Sequence, residues 1–160
     1  MFVRISIAEQ LLTLFDERGH ALCCYPVSTA SKGAGEAFGS YCTPRGKHII
    51  RAKIGAGVTE NTVFIARRPN GEIYSPELAA AFPGRDWILT RILWLSGCEP
   101  QRNRFGGIDT MRRYIYIHGT PDSSPMGVPR SHGCIRMRNA DIIELFDRVP
   151  VYSAVEIVEE

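Results

Sequence analysis

Cys134 lies in the run Ser131-His132-Gly133-Cys134-Ile135-Arg136-Met137, and a second histidine, His118, closes the upstream run Tyr114-Ile115-Tyr116-Ile117. A thiol with an ordinary pKa of about 8.5 is only partly ionised near neutrality. A neighbouring imidazole can take its proton and later return it to a leaving amine. Gly133 lets a substrate come close to the backbone, and the N–H groups of Gly133 and Cys134 can stabilise an oxyanion, each donor being worth on the order of 3 kcal/mol. These residue types predict acyl transfer, with Cys134 as nucleophile and His118 as base. His132 is too close in sequence to be assigned as base on spacing alone. In an extended segment it and Cys134 point the same way with backbones about 6–7 Å apart, so it is assigned to the oxyanion side or to holding the loop. Two other readings stand beside this one. A cysteine is commonly a small buried hydrophobe and a histidine a hydrogen-bonded structural residue. A Cys/His cluster can also hold zinc, although these three residues lack the spacing of a closed site and the chain has no CxxC pair.

Bringing residues 118 and 134 together takes a scaffold, and the pattern predicts one made of strands. Alternation over Phe2–Ile7, the run Gln10–Phe15, the turn Asp16-Glu17-Arg18-Gly19 and a renewed pattern over Ala21–Val27 predict a three-stranded meander. Ser28–Gly46, rich in glycine, reads as loop. Lys47–Ile54 predicts a strand, Asn70-Gly71 a tight turn joining Val63–Arg67 to Glu72–Tyr74, Pro76–Phe82 a short helix and Trp87–Leu95 a central strand. Arg113–Ile117 is read as a strand with Tyr114, Tyr116 and His118 on one face and Ile115 and Ile117 on the other. The following Gly119-Thr120-Pro121 leaves the sheet as a loop. A last helix is expected with Asn139 as its cap, Ile142, Phe146 and Val149 on one face and Pro150 as its stop, followed by a strand over Val151–Val158. The expected fold class is mainly β, a two-sheet sandwich or flattened barrel with one or two helices, and a single domain over residues 1–160.

Bulk properties narrow the choice of partner. The 160 residues are 44% hydrophobic and 22% charged with a formal net charge of +2, which suits a globular chain and makes no case for nucleic acid or membrane. Cys23, Cys24, Cys42 and Cys98 read as free thiols of a reducing compartment, and His20 and His48 as surface or hydrogen-bonded structural residues. The first residues hold no apolar stretch of signal-peptide length, and no window approaches the roughly 18 apolar residues of a membrane span. Taken as full length, the chain is expected in the cytoplasm.

Ile117-His118-Gly119-Thr120 followed by Ser131-His132-Gly133-Cys134-Ile135-Arg136-Met137 closely resembles the active-site motif of the L,D-transpeptidase catalytic domain family (YkuD/ErfK type). A second stretch, Pro26-Val27-Ser28-Thr29 and then Thr43-Pro44-Arg45-Gly46, is similar to that family's upstream segment, with Ala30-Ser31-Lys32 where a glycine often follows. The resemblance implies a β-rich fold and chemistry on peptidoglycan stem peptides. Cys134 would attack the carbonyl of the third residue, releasing D-alanine and leaving a thioester. His118 would be the base, oriented by the carbonyl of Gly119. His132 and Gly133 would line the oxyanion side, and Ser131 and Arg136 would contact substrate, Arg136 through its planar fork or, alternatively, in a structural ion pair. No metal and no cofactor is expected. The missing export signal favours water as acceptor, giving an L,D-carboxypeptidase that trims tetrapeptide muropeptides during recycling. The alternatives are an L,D-transpeptidase joining stem peptides or exchanging D-amino acids, and a non-catalytic muropeptide-binding module.

Overall fold

Alternating burial builds the first three strands. Val3 and Ile5 in β1 (Phe2–Ser6), Leu12 and Leu14 in β2 (Leu11–Phe15), and Tyr25 and Val27 in β3 (Ala21–Ser28) all face the core, as a period of two requires. Asp16 shapes the β2–β3 turn: its Oδ1 accepts from the amides of Arg18 and His20 at 2.8 and 2.9 Å. The computed structural model describes residues 1–160, and this meander runs as the pattern predicts.

The remaining elements are β4 (Gly46–Ile54), β5 (Thr62–Ile65), β6 (Arg68–Ile73), α1 (Pro76–Ala81), β7 (Leu89–Gly97), β8 (Tyr116–Thr120), β9 (Ile135–Arg138), α2 (Asn139–Arg148) and β10 (Ala154–Val158). The sheet order β4-β10-β1-β2-β3-β9-β8-β7 returns on itself because β7 also pairs with β4. The result is a closed mixed barrel, with the β5–β6 hairpin attached to β7. The expected mainly β architecture with one or two helices is what forms. A core of 19 buried residues fills the barrel. It includes Ile115 and Ile117, Ile135 and Met137 of β9, and Ile142, Leu145 and Phe146 from the buried face of α2. Fully burying each such side chain is worth about 1.5–3 kcal/mol, so the strands under the motif are firmly anchored.

Several boundaries differ from the sequence pattern. The β5–β6 turn falls at Ala66-Arg67, not at Asn70-Gly71. Ala66 and Arg67 both adopt left-handed backbone, with φ of 48° and 63°, the conformation of a two-residue hairpin turn. Arg67 is held there by its guanidinium, 4.6 and 4.8 Å from the ring centroids of Trp94 and Tyr114 and donating to the Tyr116 hydroxyl at 2.9 Å. Asn70-Gly71 instead bulges β6, since Phe64 pairs with Pro69 while Thr62 pairs with Ile73. Arg113 and Tyr114 belong to a turn, their amides bonding back to Asp109, Thr110 and Met111 carbonyls. His118 is therefore in the middle of β8 rather than beyond a strand's end. Asn139 does not cap α2: Arg138 occupies the cap position, and the Asn139 side chain turns inward. The last strand starts at Ala154, because Tyr152 turns at φ 70° with its amide on the Ile50 carbonyl.

Candidate active site

The decisive local feature is the parallel pairing of β8 with β9. His118 pairs with Arg136 and Ile117 with Ile135. Continuing that register places Cys134, one residue before β9, beside Tyr116, and the Tyr116 amide donates to Cys134 Sγ at 3.3 Å. Cys134, Tyr116, His118 and Arg136 thus share the face opposite the buried isoleucines. His118 and Cys134 are diagonal neighbours across the ladder, a separation of about 7–8 Å between backbones that these side chains can narrow.

His118 is 1% exposed. Its Nδ1 lies 2.6 Å from the Gly119 carbonyl. A carbonyl can only accept, so Nδ1 carries the proton and Nε2 keeps its lone pair. Nε2 has no partner. Burial pushes the imidazole below its ordinary value, while Asp86 and the Gly119 carbonyl pull it back. Burial pushes the Cys134 thiol up to about 12, opposed by the Tyr116 N–H. The resting pair is therefore neutral thiol and neutral imidazole. The S–H donates to the Tyr114 carbonyl at 3.4 Å, so proton transfer to His118 requires it to turn.

The loop before Cys134 is held from several sides. Gly133 has φ 128°, and a Cβ there would lie 3.2 Å from the Cys42 carbonyl oxygen and from Ile115 Cδ1, so only glycine fits without strain. Ser131 is buried; its Oγ donates to the Cys134 carbonyl at 2.5 Å and accepts from the Gly133 amide at 3.1 Å. The Gly133 N–H is thereby committed, and the Cys134 N–H is the one left without a protein partner beside the thiol. The upstream motif supplies the grip. Thr43 Oγ1 donates to the Gly133 carbonyl at 2.9 Å, Ser28 Oγ accepts from the Arg130 amide at 3.0 Å, and the Thr29 carbonyl accepts from the Ser131 amide at 2.9 Å.

Three shallow depressions meet at His132, whose side chain is 61% exposed. One, of about 270 Å³, is aromatic and includes Phe38, Tyr41 and Tyr114. Another, of about 200 Å³, is charged and includes Arg85, Asp86, Thr120 and Arg136. Asp86 bridges this rim: its Oδ1 accepts from Arg136 at 2.9 Å and its Oδ2 lies 3.6 Å from His132 Nδ1. Arg136 is thus ion-paired at rest. A depression of about 300 Å³ near Arg45, Lys47 and Glu99 contains none of the motif residues. Sequence reasoning missed Asp86, placed Tyr116 on the His118 face without assigning it a contact to Cys134, and read Asn139 only as a helix cap. Asp86 carries no local signal, since it becomes relevant only because the α1–β7 connection reaches the motif loop.

The fold is thus a closed mixed barrel in which a cysteine one residue before β9 lies across the parallel β8–β9 ladder from a carbonyl-oriented histidine in β8. The sequence model of the L,D-transpeptidase catalytic domain (YkuD) matches residues 1–157, and the chain belongs to that family. It is 46% identical over 48 residues to the "Probable L,D-transpeptidase YbiS" of Escherichia coli K12, covering 30% of this chain and 16% of that protein. To the "Probable L,D-transpeptidase ErfK/SrfK" of the same organism it is 48% identical over 48 residues, again 30% and 16%. Among solved structures, an L,D-transpeptidase from Xylanimonas cellulosilytica superposes with a TM-score of 0.59 at 20% identity, over 98% of this chain and 59% of that one. Bd1075 of Bdellovibrio bacteriovorus gives 0.61 at 14% identity, over 99% and 47%. These structural likenesses establish the shared fold. The chain spans about a sixth of the curated relatives' length and about half of the solved chains.

Proposed function

We propose that the protein is a cysteine-dependent acyl-transfer enzyme acting on peptidoglycan stem peptides. The observation that carries this reading is the unpaired Nε2 of His118, held in its tautomer by the Gly119 carbonyl and one pleat step from Cys134. His118 Nε2 takes the thiol proton as Cys134 Sγ bonds to the carbonyl carbon of the third stem residue. The carbonyl oxygen becomes an oxyanion facing the free Cys134 amide, with His132 on the same side. Collapse breaks the bond to D-alanine, whose amine leaves with the proton from Nε2, and a thioester remains. Water then attacks, giving its proton to Nε2, and the tripeptide departs as the thiol is restored. This L,D-carboxypeptidase outcome is supported by the solvent-facing rim, where His132 is 61% and Asp86 42% exposed.

A second outcome, transfer to an amine, shares every step up to the thioester. The charged depression beside His132 favours it: an acceptor or leaving amino acid carrying a carboxylate could exchange with Asp86 on the Arg136 fork. Incubation with a free tetrapeptide tests both. Tripeptide and D-alanine indicate hydrolysis, and a new peptide on adding D-methionine indicates transfer. Tight binding with no product and an unreactive thiol would replace both with a muropeptide-binding role.

A further inference from the structure

His118 is oriented by a backbone carbonyl, so whatever holds the Gly119 peptide also sets the base. That peptide is closely confined. A Cβ at Gly119 would lie 2.5 Å from Asn139 Oδ1 and 2.5 Å from the Leu89 carbonyl oxygen, so α2 and β7 press directly against it. Asn139 is fully buried. It opens α2, where an asparagine is expected to serve the helix backbone, yet its amide is spent elsewhere. Oδ1 accepts from Thr90 Oγ1 at 2.6 Å, and Nδ2 donates to Asn61 Oδ1 at 2.9 Å and to Asp122 Oδ1 at 3.3 Å. Thr90 Oγ1 accepts in turn from the Asn61 amide at 3.0 Å.

Thr90 is itself unusual. Its φ is 75°, a left-handed backbone that costs a β-branched residue about 1–3 kcal/mol and is kept where surrounding structure enforces it. The strain falls at the β7–β8 register shift, between the Leu89–Gly119 and Ile92–His118 pairs. Side chains from four separate parts of the chain, Asn61, Thr90, Asp122 and Asn139, therefore form one network behind a single glycine. Each amide atom of Asn139 is used, and a satisfied buried network of this kind holds a single arrangement. Plain packing at this position would need neither the strained threonine nor the directed amide.

The geometry points to Asn139, acting with Thr90, as a positioning residue that clamps the Gly119 peptide so that its carbonyl holds His118 Nδ1–H and aims Nε2 at Cys134. This rests on the reading of Cys134 and His118 as nucleophile and base. The network does not touch the thiol and meets the crossover after β8 only through Asp122, so it governs how the base is aimed rather than how substrate is bound.

The test follows the acylation of Cys134 by a carbapenem, read as adduct mass against time from pH 5 to 9, together with the ¹⁵N resonances of the His118 ring. Thr90→Val removes the hydroxyl at nearly constant shape, Thr90→Ser restores it, Asn139→Leu removes the amide, and His118→Ala is the control. Thr90→Val and Asn139→Leu are expected to slow acylation on the order of 10- to 100-fold and to replace the single Nδ1–H tautomer with a mixture. Thr90→Ser is expected within about threefold of the parent, with its tautomer intact. The Thr90→Val and Thr90→Ser pair keeps the answer independent of how well Asn139→Leu folds. Folded Thr90→Val reacting at the parental rate with an unchanged tautomer, while His118→Ala is slow, overturns the positioning role alone. His118→Ala reacting at the parental rate overturns the base assignment, and the positioning role with it.

Discussion

Two histidines are buried in this barrel, and they begin alike. His48 in β4 and His118 in β8 are each 1% exposed, and each directs Nδ1 to a nearby backbone carbonyl, Gly46 at 2.9 Å and Gly119 at 2.6 Å. Both rings therefore hold the proton on Nδ1. They differ at the other nitrogen. His48 Nε2 is 3.0 Å from Thr110 Oγ1, which can donate to it, so both ring nitrogens are satisfied. His118 Nε2 is left open beside a cysteine. On the proposed reading, the same local device makes a structural post when both ends are used and a base when one is kept free. What separates the two roles is the partner at one nitrogen, not burial or tautomer.

The comparison breaks most directly at its catalytic end. His118→Ala is expected to lower kcat/KM on stem peptide by about 10²–10⁴-fold, and Cys134→Ala to abolish turnover and carbapenem adducts. A loss under tenfold for His118→Ala would return His118 to the class of His48. The structural end should fail differently. His48→Ala leaves the Thr110 hydroxyl and the Gly46 carbonyl unpaired in a cavity, at an expected cost of about 2–5 kcal/mol in urea unfolding. Turnover per folded molecule should be unchanged.

Acid sharpens the contrast. Burial holds His48 down at about 4, below its unfolded value, so protonation favours the unfolded chain. Its contribution is complete above about pH 6.5 and is lost as the pH falls towards 4, a change of about 3 kcal/mol. His48→Gln should flatten that part of the stability profile. His118 is also depressed by burial, so its base form is present at neutrality. The acid limb of kcat/KM should have its midpoint below about 6.5 and should persist in His48→Gln. The smallest effect belongs to the rim. Arg136→Ala should raise KM about three- to tenfold with kcat little changed if it binds a substrate carboxylate. An unchanged KM leaves Arg136 as Asp86's structural partner.

Much of the barrel was legible because the alternation of Val3, Ile5, Leu12 and Leu14 is a local pattern that the core then uses. The motif run was legible because Gly133 and Ser131 act on Cys134 from within three residues. Other features were hidden by distance along the chain. Asn70-Gly71 has the composition of a hairpin turn, yet Ala66-Arg67 takes that place because Arg67 finds Trp94, Tyr114 and Tyr116, none of them nearby in sequence. Asn139 reads as a cap until its partners Thr90 and Asn61 are seen, 49 and 78 residues away. Asp86 reaches the motif only through folding, 50 residues from Arg136. Local propensity is overridden wherever a buried or charged side chain has a better partner elsewhere.

The parallel pairing of β8 and β9 has a consequence for how such a protein can vary. Parallel neighbours need a crossover of a dozen or more residues, and here that crossover forms the rim beside the site. Because the ladder itself sets the offset between residues 118 and 134, the stretch from Ser123 to Pro125, beyond the Asp122 carboxylate that Asn139 holds, can change composition without moving His118 relative to Cys134. On the proposed reading, recognition and chemistry are thereby mechanically uncoupled: new substrate walls can be tried in a loop while His118 and Cys134 stay registered by the sheet.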